Sequence, residues 1–145
     1  MDIAMRTYEY PVLFSRAPEG GWVISCRALP EAISQAEARE DRIDVASGCI
    51  QAALEARIED GEALPLPGRL RSREVLVSPP IETVAKAALY QAMRDSKISK
   101  SDLARRLKVD EKEVRRMLDP GHGSKIPRIA EALSMIGRRL HLSVT

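Results

Sequence analysis

The chain has 145 residues, 44% apolar and 30% charged, which fits one domain or two small ones and excludes a disordered polar chain. The net charge of +2 hides a split: residues 1–78 hold nine Lys and Arg against 13 Asp and Glu, and residues 79–145 hold 14 against eight. No apolar run has the length of a bilayer span and no basic-then-apolar leader opens the chain, so a cytoplasmic protein without a membrane partner is expected.

Four of the five aromatic residues fall within the first 22 positions, which points to two different kinds of core. Tyr8, Tyr10, Val12 and Phe14 alternate on one face of a strand running from Tyr8 to Arg16. Pro11 lies inside it and predicts a sheet edge or a bulge. Residues 17–21 (APEGG) form a turn, and Trp22, Ile24 and Cys26 share one side of a second strand, so the pair is a hairpin. Ala32 to Glu37 is a weaker third strand. The period then changes, because Ile43, Ala46, Ile50, Ala53, Leu54 and Ile58 line one helix face that Asp41 can cap and Gly61 can end. After Pro65 and Pro67, residues 73–78 read as a returning strand, and Pro79-Pro80 is the boundary. The first half is therefore βββαβ. Cys26 and Cys49 sit in apolar contexts without metal-type spacing and are expected to be reduced core residues rather than a disulfide or a catalytic thiol.

The second half is helical. Residues 81–96 carry an amphipathic pattern, with Val84, Ala88, Tyr90 and Met93 among its apolar positions. Ser99 to Asp102 has the form of a capping box, and Leu103, Ala104 and Leu107 give the following short helix an inward face. Asp110 to Glu113 has the form of a second capping box, opening a helix with Val114, Met117 and Leu118 inside. Two capped helices of similar length around a short turn make a helix-turn-helix unit, in which small Ala104 permits close approach. Lys108 occupies the turn position where Gly is common, and a left-handed backbone there costs about 1 kcal/mol. A further helix over 126–136 buries Ile129, Leu133 and Ile136. Leu140, Leu142 and Val144 alternate as a short C-terminal strand, for which a second copy of the chain is one candidate partner.

The second helix of the pair turns Glu111, Lys112, Arg115 and Arg116 outward, the residue types that base edges and phosphates require. Lys100 and Ser101 before it, and Ser124 and Lys125 after it, stand at helix starts suited to phosphate. His122 is a loop contact of the same kind. These nine residues form the expected DNA-binding set, within a half of the chain whose balance is +6. The alternative is that the same basic face is simply solvated.

The residues also resemble a family. Residues 10–14 (YPVLF), 19–22 (EGGW), and Leu29-Pro30-Glu31 with Ile33-Ser34-Gln35 are similar to HicB-type antitoxins. So are Asp41-Arg42-Ile43, Ala53-Leu54 and Val75-Leu76-Val77. In the second half, residues 86–90 (KAALY), 103–107 (LARRL), 114–119 (VRRMLD), Ala132-Leu133 and Gly137 to Leu140 resemble the helix-turn-helix subclass of that family. Ala32 and Ala36 depart from it, standing where the family often has Gly. The resemblance implies an α+β protein in which residues 1–78 form a partial RNase H-like βββαβ domain. Residues 79–145 would form an all-α helix-turn-helix domain with the short C-terminal strand. It further implies binding of a HicA-type mRNA-cleaving ribonuclease toxin by the first domain, and repression of the operon by the second through operator DNA. A homodimer or higher even oligomer is expected. The acidic first half suits a basic RNA-binding partner independently of the resemblance.

An enzyme is not expected. Asp2, Glu9, Glu19, Glu31 and Glu37 are scattered, Asp41 and Asp44 suit a helix start, and neither His122 nor His141 has a nucleophile beside it. No catalytic residue, metal or cofactor is implied. The remaining alternative is a stand-alone transcriptional repressor whose N-terminal domain senses a small molecule.

Overall fold

The computed structural model describes residues 5–145. Its strands come early and most of its helices late, an α+β arrangement. The elements are β1 (Tyr10–Arg16), β2 (Trp22–Cys26), β3 (Ser34–Ala36), a 3-10 turn at Arg39–Asp41, α1 (Arg42–Glu59) and β4 (Glu74–Val77). They continue with α2 (Ile81–Ser96), α3 (Lys100–Leu107), α4 (Glu111–Leu118) and α5 (Ile126–Met135). Two compact units result. One holds the described residues up to Ala56 with Pro65–Pro80, and the other holds Arg57–Leu64 with Ile81–Thr145.

The first unit contains an antiparallel sheet in the order β3-β2-β1-β4. The hairpin closes where Arg16 faces Trp22. Gly21 is required there: its φ is +78°, and a Cβ would stand 3.0 Å from the Ala36 carbonyl oxygen. Cross-strand pairs Tyr10↔Val77, Val12↔Cys26 and Phe14↔Ile24 gather the expected apolar face, with Tyr8, Tyr10, Val12, Ile24 and Cys26 buried. Arg42 at the start of α1 lays its guanidinium 4.4 Å from the Trp22 ring centre and 4.9 Å from that of Phe14. The Ser47 hydroxyl donates to the Ser78 carbonyl at 2.8 Å.

Several expectations need correction here. β1 is not itself an edge strand, since it pairs on both sides. The register with β2 begins only at Val12, however, so Pro11 overhangs that neighbour and its missing N–H interrupts no β1–β2 pair. The third strand shortens to three residues. Asp41 lies inside the 3-10 turn rather than capping α1, and Ile43 is exposed while Ala46, Ile50, Ala53, Leu54 and Ile58 are buried as expected.

In the second unit, Gly61 ends α1 at φ +72°, and the Glu62 N–H donates back to the Arg57 carbonyl at 2.9 Å. Side chains of α2 hold this segment: Tyr90 donates to the Glu62 carbonyl at 2.6 Å, and the Gln91 side chain accepts from the Leu64 N–H at 2.9 Å. The helical core comprises Ala85, Leu89, Ala92 and Met93 of α2 with Leu103, Ala104, Val114, Met117, Leu118, Ile129, Ala132 and Leu133. The extent of α2 is the expected one, but its inward face is centred on Ala85 and Leu89 rather than Val84 and Ala88.

The C-terminal strand does not form. Residues 138–145 hold no regular structure; Leu140 packs on the core, but Leu142 is 69% and Val144 93% exposed. A strand needs a ladder partner, and no described strand pairs with this segment.

Candidate nucleic-acid interface

Sequence-local chemistry sets the geometry of α3 and α4. Ser99 caps α3: its hydroxyl accepts from the Asp102 N–H at 3.0 Å, and the Asp102 carboxylate accepts from the Ser99 N–H at 3.5 Å. The adjacent Ser99, its side chain first and its N–H second, holds the Asp102 carboxyl below its usual range. Lys108 ends α3 in the left-handed region at φ 58° and ψ 46°, as expected, with its N–H turned back to the Ala104 and Arg105 carbonyls. Asp110 caps α4 by accepting from the Lys112 N–H at 2.9 Å. The second capping box is not closed. The Glu113 carboxylate pairs instead with the Arg128 guanidinium at 2.8 Å, an ionised donor that outcompetes a neutral N–H. Buried Ala104 and Val114, with Leu107 and Val109 packed beside them, join the two helices.

The exposed surface of α4 divides the candidate residues into two groups. On one side, Glu111 accepts from the Arg115 guanidinium at 2.9 Å and from the Ser101 hydroxyl at 3.3 Å. On the other, Lys112 and Arg116 stand one turn apart and line a cleft of about 550 Å³ with His122, Ser124 and Lys125. Five expected residues thus meet at one site, while Ser101, Glu111 and Arg115 form a neighbouring cluster. Lys100 is exposed at the first position of α3, beside Ser101, and does not line the cleft. Arg128 also lines the cleft and was not among the expected residues; it is shared between Glu113 and Glu131 at 2.8 and 2.9 Å. Asp110 and Glu113 add negative charge, so the walls are mixed with cations in excess.

Ser124 and His122 are engaged within the loop that precedes α5. The Ser124 hydroxyl donates to the Arg116 carbonyl at 3.3 Å, and its N–H donates to the Glu82 carboxylate at 2.8 Å. His122 Nδ1 lies 2.9 Å from the Gly123 carbonyl, to which the Nδ1–H tautomer donates. Behind the cleft stands Lys86, only 4% exposed. Its ammonium donates to the Arg116, Met117 and Asp119 carbonyls at 3.1, 3.1 and 2.9 Å and to the Ser124 hydroxyl at 3.1 Å. A lysine between Ala85 and Ala87 on an apolar face was the available sequence signal for that role.

On the sheet, Arg27 grips Glu74 with two donors at 2.7 and 2.8 Å, and the Glu74 side chain is only 5% exposed. This contact, helped by the Arg71 N–H, holds the Glu74 carboxyl down to about 2. Cys26 and Cys49 are free thiols pushed up by burial. No cluster of three metal-ligating side chains occurs among the described residues, and Asp2 lies outside them.

Residues 9–88 match the family model of the HicB-like antitoxin of bacterial toxin–antitoxin systems. The chain is 34% identical over 140 residues to antitoxin HicB 1 of Photorhabdus laumondii, covering 97% of this chain and 89% of that protein. It is 32% identical over 133 residues to antitoxin HicB of Escherichia coli K12, covering 92% and 96%. Antitoxin HicB of Pseudomonas fluorescens is 34% identical over 139 residues, with 94% of each chain covered.

Proposed function

The chain belongs to the HicB-like antitoxins of bacterial toxin–antitoxin systems, and from that premise we propose that it works through two surfaces. Its role is that of an antitoxin and not of an enzyme, and an antitoxin has a toxin as its partner. In this reading residues 1–78, as the partial RNase H-like domain, bind and neutralise a HicA-type mRNA-cleaving ribonuclease. The excess of carboxylates in that half suits a basic partner whose RNA-binding surface it would cover.

Residues 79–145 act as a helix-turn-helix domain that represses the operon. α3 lies across the DNA backbone and α4 enters the major groove. The observation that carries this reading is the meeting of Lys112, Arg116, His122 and Lys125 at one cleft, next to an α4 face that bears Arg115. Arg115 reads a base edge, and the cleft residues hold phosphate. Two-fold pairing through the apolar tail of residues 138–145 gives an even oligomer in the cytoplasm and an operator with matching symmetry. The test is titration of the full chain with its upstream DNA and with a scrambled duplex at several salt concentrations. Preference for the upstream duplex, with a steep salt dependence, is expected. Equal weak binding to both would reject operator recognition.

A further inference from the structure

We propose that Glu82 and Lys86 of α2 are positioning residues for the cleft, gripping both of its walls from behind while touching no nucleic acid themselves. This rests on the DNA-binding reading of the cleft. Glu82 and Lys86 are one helical turn apart, so both reach the same side of α2. Neither lines the cleft.

One wall is the end of α4. There the Arg116 carbonyl accepts only a long 3.3 Å bond from the Asp119 N–H at the helix end, and it and the Met117 carbonyl carry the negative end of the helix dipole. Lys86 supplies a further donor to each from a buried position, where an ammonium is tolerated only with its protons engaged. The other wall is the loop leading to α5. Here the same ammonium donates to the Ser124 hydroxyl, and the Glu82 carboxylate accepts from the Ser124 N–H. Lys86 also bonds the Asp119 carbonyl, where the chain leaves α4. Two side chains of one helix thus fix the separation between the base of Arg116 and the segment bearing His122 and Lys125. A cleft held in this way spends less affinity on ordering its walls when an anion enters.

The experiment uses the full chain and the variants Lys86→Met and Glu82→Ala, each alone and combined with Lys125→Ala or Arg115→Ala. Binding to upstream and scrambled duplexes is titrated at several salt concentrations, and exchange of the Ser124 amide is followed without DNA. Lys86→Met is expected to weaken upstream binding roughly tenfold. In that background Lys125→Ala should cost much less than it does alone, because the wall that presents Lys125 is already released. Arg115→Ala should cost the same in both backgrounds. Glu82→Ala should leave the fold intact, speed exchange at Ser124 and show the same non-additivity with Lys125→Ala. Unchanged binding in Lys86→Met, or full additivity with Lys125→Ala, overturns the proposal. If Lys86→Met does not fold, Glu82→Ala carries the same cycle. If the parent chain does not prefer its upstream duplex, the DNA reading fails by itself. The grip is then judged by Ser124 exchange, and unchanged protection in Glu82→Ala overturns it.

Discussion

Replacing Arg115 by alanine separates base reading from phosphate positioning. In the free protein the Arg115 side chain is 61% exposed and pairs with Glu111 at 2.9 Å. A pair at that exposure within one helix is worth about 0.3–0.5 kcal/mol. A guanidinium that reaches a guanine edge with two donors contributes about 1–3 kcal/mol. Leaving or sharing Glu111 subtracts the smaller figure, so a net loss of about 0.5–2.7 kcal/mol is expected, or about 2- to 90-fold in affinity. The loss should fall on the upstream duplex and spare a scrambled one, because nonspecific binding draws on phosphates. Arg116→Ala, at the cleft, should instead weaken both duplexes alike and reduce the salt slope by about one. Titration of both duplexes at several salt concentrations measures each effect. An equal fall on both duplexes for Arg115→Ala would refute base reading by that side chain.

Ser99→Ala removes the cap of α3 and should cost about 1 kcal/mol, lowering the melting midpoint of the helical unit by about 4–8 °C; an unchanged midpoint would show that the cap contributes nothing. The folded-state pKa of Glu74 lies below its ordinary value of 4.5, at about 2, so the stability that its contact with Arg27 adds is fully present above the ordinary value and fades as pH falls toward 2. Trp22 fluorescence during unfolding across that window should therefore show a smaller acid sensitivity in Glu74→Gln than in the parent. Deleting residues 138–145 should yield monomers by sedimentation and weaken upstream binding sharply, whereas a truncated chain that remains dimeric would place the interface elsewhere.

Periodicity and capping chemistry located the elements well. The alternation of Tyr8, Tyr10 and Val12 is the buried face of the sheet, α2 spans the expected residues, and Ser99 with Asp102 closes the expected box. Lys108 adopts the left-handed turn although it carries a side chain, because the packing of Leu107 and Val109 beside Val114 determines that turn more strongly than the local preference for Gly. The sequence signal runs out where a distant partner decides the outcome. Glu113 has the spacing of a capping residue, but Arg128, 15 positions later, claims its carboxylate. Lys86 looks like one polar position in an amphipathic helix, yet its acceptors are carbonyls 30 to 33 residues away and a hydroxyl 38 residues away. Main-chain acceptors leave no mark in the residue types that supply them. Likewise Leu140, Leu142 and Val144 have the alternation of a strand, but alternation specifies a face and not the neighbour against which the strand must pair.

Neutralisation of a toxin in growing cells tests the antitoxin reading most directly. The full chain is co-expressed with the partner proposed for it, a HicA-type ribonuclease, and growth, mRNA integrity and co-purification are followed together. Restored growth, intact mRNA and a stable complex of the two proteins are expected. Continued growth arrest and mRNA cleavage, with the chain abundant, folded and unbound to the ribonuclease, would contradict it.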